Sequence, residues 1–99
     1  DNQELFILNI SNPSSVTSLG SQEIGSDIND LRVRNSFAFL GTADSNKELQ
    51  AWNISNPSSI TPVSNFNFSQ IATGVDYENN LVYTAVRSND GLRIITSSP

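Results

Sequence analysis

The stretch ELFILNISNPSSV at residues 4–16 returns as ELQAWNISNPSSI at residues 48–60, a repeat of forty-four residues counted from Glu4 to Glu48. A third copy opens as GLRII at residues 91–95. Self-similarity at roughly 40 to 50 residues, with several short strands per unit, marks a propeller blade or a stacked array. In such arrays each unit is covered by its neighbours.

Outward from the repeated block, the residues fall into short apolar runs separated by turn chemistry. Leu5–Ile10 reads LFILNI, and the following SNPSS, with Pro13 at its centre, ends that strand. An apolar run of this kind suits a strand covered on both faces. A looser strand, VTSLG at 16–20, precedes a polar turn through 21–27. DLRVR at 30–34 and FAFLG at 37–41 form a hairpin across Asn35-Ser36. The second unit repeats that pair as GVDY at 74–77 and LVYTAV at 81–86, with Phe37 falling on Leu81 and Phe39 on Tyr83. The following loop, TADSNK in one unit and VRSND in the other, differs by one residue, as a surface loop would. No segment has the apolar spacing, cap and stop of a helix. The predicted fold is all-β: antiparallel four-stranded blades of a β-propeller, in two and a quarter repeats. The partial blade spans 1–27, the full blade 28–66 and the incomplete blade 67–99.

Composition narrows the function classes. Ten acidic residues against five basic ones give a net charge of −5, which repels phosphate backbones, so no nucleic-acid partner is expected. No apolar run approaches the ~18 to 20 residues of a membrane span, so no membrane insertion is expected. Cysteine and histidine are both absent. That excludes a disulfide framework, zinc–thiolate sites and any Cys–His or Ser–His nucleophile–base pair. No glycine-rich phosphate loop occurs. The residues therefore offer no catalytic, cofactor or metal site. Methionine is missing even at position 1, which points to a processed or excised piece of a longer product.

Candidate site residues are few. Arg32 and Arg34 fall one repeat before Asp76 and Glu78, with the charge sign reversed. Between neighbouring blades these four would approach and pair across the boundary. Asp44, Asn46 and Glu48 resemble the start of a calcium loop, but they lack the glycine turn and distant glutamate of one and read as a polar loop. SNDG at 88–91 reads as turn geometry. Trp52 aligns with Leu8 and Ile95, which makes it a core position rather than a sugar platform. Tyr77 and Tyr83 align with Val33 and Phe39 and read the same way. Asn9, Asn53 and Asn67 head N-x-S sequons, with Asn67 the better placed for N-glycosylation.

The string LxxxNISNPSS, preceded by a hairpin of the form xLxVxNxFAFLGTA, resembles the LVIVD repeat family of β-propeller-like bacterial and archaeal surface proteins. The matching positions are FAFLGTAD at 37–44, LQAWNISNPSSITP at 49–62, LVYTA at 81–85 and DGLRII at 90–95. Asn9 and Asn53 stand where the family has Asp, and the third copy ends TSSP instead of SNPSS. The resemblance implies a secreted or cell-surface propeller and brings no catalytic residues. The expected function is a non-enzymatic module for protein binding or structural assembly. A carbohydrate-binding propeller is the alternative, and would require an aromatic and polar cluster recurring in each unit. A glycoside-cleaving or other hydrolase ranks third, since Asp76 and Glu78 on one strand are a poor acid pair. Two and a quarter units cannot close a ring of 4 to 8 blades. The expected partner is therefore the repeat itself, from more of the same polypeptide or from other copies, with a protein or glycan as further ligand. In a ring of copies, strand 4–10 and strand 91–96 would compete for one place.

Overall fold

A computed structural model describes residues 3–68, 70–87 and 92–96 of the chain. Among these there is no helix, and the strands are β1 (Leu5–Asn9), β2 (Thr17–Gln22), β3 (Ile28–Arg34), β4 (Phe37–Thr42), β5 (Leu49–Asn53), β6 (Thr61–Phe66), β7 (Ala72–Glu78), β8 (Leu81–Val86) and β9 (Leu92–Thr96). They form three sheets in chain order: β1-β2, β3-β4-β5-β6 and β7-β8-β9. Every pairing is antiparallel. The all-β antiparallel character follows the sequence reading; among the described residues the sheets have two, four and three strands, and no closed ring is formed.

Local chemistry explains the connections. Asn35 has a φ of 56°, and Asn79 and Asn80 have φ of 54° and 66°. These left-handed values are ones asparagine tolerates, and they turn the β3–β4 and β7–β8 hairpins. The SNPSS turns are built alike in both repeats. Asn9 and Asn53 each accept the N–H two residues on, Ser11 and Ser55, at 2.9 Å through the side-chain oxygen. Asn12 and Asn56 do the same for Ser14 and Ser58 at 3.2 and 3.1 Å.

The core lies between sheets. Leu5 and Ile24 from the first sheet and its exit loop pack with Ala38, Leu40, Trp52 and Ile60 of the second. Leu49 and Phe68 pack with Ala72, Val75, Val82 and Val86 of the third, flanked by Phe39, Tyr77 and Ile95. The period-two alternation of a strand sends Ala38 and Leu40 into one cluster and Phe39 to the other, so β4 serves both seams.

The expectation that Leu5–Ile10 is covered on both faces is corrected. Leu5 is buried, but Phe6 is 55% and Leu8 49% exposed, because no sheet lies on that side among the described residues. One repeat later the same positions, Gln50 and Trp52, are buried. At the other end of the stack Leu92 and Ile94 are 60% and 55% exposed. Their equivalents after the shortened loop are Leu49, which is buried, and Ala51, which is half-buried.

Candidate functional site

The seam between the second and third sheets carries the densest polar chemistry. β3 and β7 each begin with a bulge, where the register shifts between Ile28 and Asp30 and between Ala72 and Gly74. A bulge leaves one residue outside the ladder and re-aims its side chain. Asn29 uses this freedom to donate its Nδ2 to the Ala72 carbonyl at 2.8 Å. Asp30 accepts the Val75 N–H at 3.0 Å through Oδ2, and the Leu31 N–H at 2.9 Å through Oδ1. Arg32 then bridges the two strands, its guanidinium 3.5 Å from both Asp30 and Asp76. Phe39 and Tyr77 stack across the same seam at 5.2 Å and 17°.

Of the four charged residues singled out in the sequence, Arg32 and Asp76 are thus brought together. Arg34 and Glu78 border one shallow cleft with Tyr77 and Asn79, and no ion pair joins them among the described residues. Asn29 and Asp30 tie the two sheets at their bulged ends, whereas Arg34, Asn35, Tyr77 and Asn80 at the hairpin ends line open space between them.

Two carboxylates hold the sheet-to-sheet linkers: Glu4, to which the sequence reading gave no role, and Glu48, which it read as part of a polar loop. The Glu4 carboxylate accepts the N–H groups of Ile24 at 2.6 Å and Gly25 at 3.1 Å. The Glu48 carboxylate, buried, accepts the Phe68 N–H at 2.7 Å. Donor and acceptor are twenty residues apart in both repeats, so each unit clamps its own exit with the carboxylate that opens its third strand. The signal was present as a glutamate at the same phase in both copies, each followed twenty residues later by an apolar residue. Glu48 is therefore committed to a backbone donor, and Asp44 closes a local turn by accepting the Asn46 N–H at 2.9 Å. No group of three potential metal-ligating side chains occurs among the described residues.

Trp52 is a core residue, 7% exposed, its Nε1 donating to Gln50 Oε1 at 2.9 Å. Gln50 in turn donates to the Lys47 carbonyl at 3.1 Å. Trp52 aligns with the exposed Leu8 in β1 and the half-buried Ile95 in β9, and among the described residues no aromatic platform recurs from unit to unit.

These seams are built from repeated residues, and the family model for the LVIVD repeat matches residues 1–23 and 25–68. The chain belongs to the LVIVD repeat family. The matched LVIVD repeats take in the first sheet and the four-stranded sheet, with both copies of the NISNPSS turn and both clamping glutamates, Glu4 and Glu48. Comparison with curated proteins and with solved structures gives no significant match.

The remaining positions in this LVIVD chain sort by exposure. Asn9 and Asn67 are exposed, and Asn53 is half-buried at the end of β5. Tyr77 and Tyr83 are half-buried, with the Tyr77 hydroxyl donating to Asn80 Oδ1 at 2.9 Å. The SNDG turn at 88–91 and the TSSP end beyond Thr96 lie outside the described residues. Between the second and third sheets, toward the hairpin turns, a wedge of about 680 Å³ remains open, walled by Phe37, Phe39 and Leu49 on one side and Tyr77, Val82 and Ile95 on the other.

Proposed function

We propose that this LVIVD chain is a non-enzymatic, secreted or cell-surface module of β-propeller type whose role is structural assembly and protein binding through stacked sheets. One observation carries the reading: positions covered in the middle sheet are open in the outer two. Gln50 and Trp52 are buried, whereas their equivalents Phe6 and Leu8 are about half exposed. Leu49 is buried, whereas its equivalent Leu92 is mostly exposed. The outer faces of the first and third sheets are thus the two halves of a seam of which the molecule contains two assembled examples. Contiguous apolar surface of this kind marks an interaction site. The preferred partner is another LVIVD repeat, since the seam geometry for it already exists. Recurrence of core and turn residues, without a recurring exposed aromatic, favours this partner over a glycan.

Light scattering across a dilution series tests the reading. The expected result is a mass above that of one chain that falls on dilution, and that Leu8→Glu or Ile94→Glu lowers to one chain. A single-chain mass at every concentration up to the millimolar range overturns it.

A further inference from the structure

The two seams are filled differently beside the last strand of the earlier sheet. At the first seam, between the first two sheets, Ile54 and Ile60 flank the SNPSS turn and pack with Leu5 and Ile7. Pro57 of that turn crosses β2 so closely that a Cβ on Gly20 would stand 1.8 Å from its carbonyl oxygen. Gly20 pairs with Ile7, and the matching pair one repeat later is Ser64 with Ala51. Ser64 has the Cβ that the first seam excludes, and a hydroxyl beyond it. A turn of the Pro57 kind therefore cannot settle on β6, and the wedge of about 680 Å³ between the second and third sheets is kept open by a residue of its own wall.

That volume falls within the ~300–1,000 Å³ of small-molecule pockets. Phe37, Phe39, Phe66 and Tyr77 all line it, so its walls are rich in flat rings. Phe39 and Tyr77 already stack on each other at 5.2 Å and 17°, while Phe37 and Phe66 are exposed. Among the described residues a single charged side chain, Arg34, lines the wedge. Arg32 is held between Asp30 and Asp76, but Arg34 makes no ion pair among the described residues. Glu78 borders the shallower cleft beside Arg34 and does not line the wedge. In a chain of net charge −5, an unpaired cation at an aromatic cavity is complementary to one negative charge on a flat apolar body.

We propose that the wedge binds a small aromatic carboxylic acid, its ring among the aromatic side chains and its carboxylate on Arg34. The guanidinium fork matches both oxygens of a carboxylate, which gives the acid a fixed orientation. The ring covers Phe37 and Phe66, and aromatic pairs gain beyond the area they bury. A cationic ligand would meet Arg34 as a like charge, and an uncharged one would leave it without a counter-ion. This goes beyond the stacking reading, because the wedge lies between two sheets of one chain and on neither outer face.

The test titrates naphthylacetate into the intact chain by calorimetry, with the Val82 and Ile95 methyl groups of the wedge wall followed by NMR. Naphthylethanol and naphthylethylamine serve as the uncharged and cationic counterparts. The expected result is one naphthylacetate per chain, shifted methyl signals at both residues, and about tenfold weaker binding of the two counterparts. Arg34→Gln, at an exposed position, weakens naphthylacetate about tenfold and leaves naphthylethanol unchanged. Ser64→Trp, also from an exposed position, fills the wedge and weakens all three. Mass by light scattering reports face stacking separately, so the two readings fail independently. Absence of naphthylacetate binding at millimolar concentration, equal affinity for the three compounds, or an unchanged affinity in Arg34→Gln overturns the proposal.

Discussion

Replacing Gly20 by alanine probes a close backbone approach in the first seam. A Cβ there would stand 1.8 Å from the Pro57 carbonyl oxygen, 2.6 Å from its carbonyl carbon and 3.3 Å from its Cα. All three are backbone atoms, so no side-chain rotation relieves the clash. Ordinary contact begins near 3.4 Å, so β2 and the turn must separate by about 1.6 Å. A gap of only ~0.5–1 Å already forfeits a quarter to a half of the dispersion attraction between facing atoms. The seam that opens holds Leu5, Ile7, Trp52, Ile54 and Ile60. The expected cost is about 3 kcal/mol, the upper end of ordinary overpacking. For a chain of this size that is a fall in Tm of roughly 12–24 °C. Trp52 sits in the affected cluster, so its fluorescence during urea or thermal unfolding reports the event directly. Ser64 provides an internal control, since it holds the same position one repeat later and lines the open wedge. Ser64→Ala should stay within about 0.5 kcal/mol of the parent. A Gly20→Ala chain that unfolds within about 0.5 kcal/mol of the parent would refute the reasoning, because turn and strand would then not be in contact.

Other perturbations separate the remaining forces. Glu48→Ala removes the acceptor of the Phe68 N–H and should cost about 2–3 kcal/mol, whereas Glu48→Gln keeps an oxygen there and should cost less than half as much; equal losses in urea melts would deny the clamp. Thr84 is buried in the second and third sheets' cluster with a hydroxyl that has no hydrogen-bond partner among the described residues, so Thr84→Val should stabilise by about 1 kcal/mol, and a loss in calorimetry would count against that assignment. Arg32→Glu places like charge beside the half-buried Asp30 and the exposed Asp76, each 3.5 Å from the half-exposed Arg32, so about 0.5 kcal/mol should be lost in low salt and restored at ~1 M NaCl; a salt-independent loss would show packing rather than charge.

Much of the fold was legible because turn chemistry and apolar runs are local. SNPSS, Asn35-Ser36 and Asn79-Asn80 stop strands by their own side-chain and backbone preferences, and the forty-four-residue period supplied the correspondence between sheets. Trp52 was legible for the same reason, since its equivalents are apolar. What the sequence hid depends on distances across a seam. Arg32 and Arg34 look alike on β3, but the sheets converge at Arg32 and have parted by Arg34, and no one-dimensional spacing encodes that divergence. Glu48 looked like a loop acid beside Asp44 and Asn46. Only the fold turns its carboxylate inward onto a backbone N–H twenty residues away.

The two seams share a scaffold but not their fastenings, and that difference bears on what the outer faces accept. Asn29 and Asp30 latch β3 to the backbone of β7. One repeat later the same positions are Thr73 and Gly74, a short hydroxyl and no side chain at all. A sheet packed on the far side of the third would find the apolar face of Leu92 and Ile94 but not this latch. Conversely, the Gly20–Pro57 approach belongs to the first seam, because Ser64 replaces the glycine at the second. Apolar area supplies attraction for any neighbouring repeat, while bulge side chains, the reversed charge at Arg32 and Asp76, and a single missing Cβ distinguish one neighbour from another. Specificity rests on such differences rather than on total contact. Thr73→Asn with Gly74→Asp should therefore strengthen self-association, while the new carboxylate, whose Cβ would stand 3.9 Å from Asp30 Oδ2, lowers the melting of the existing second seam modestly. If the double variant associates no more tightly than the parent by light scattering, the latch is a local feature of β3 and not a key to repeat order.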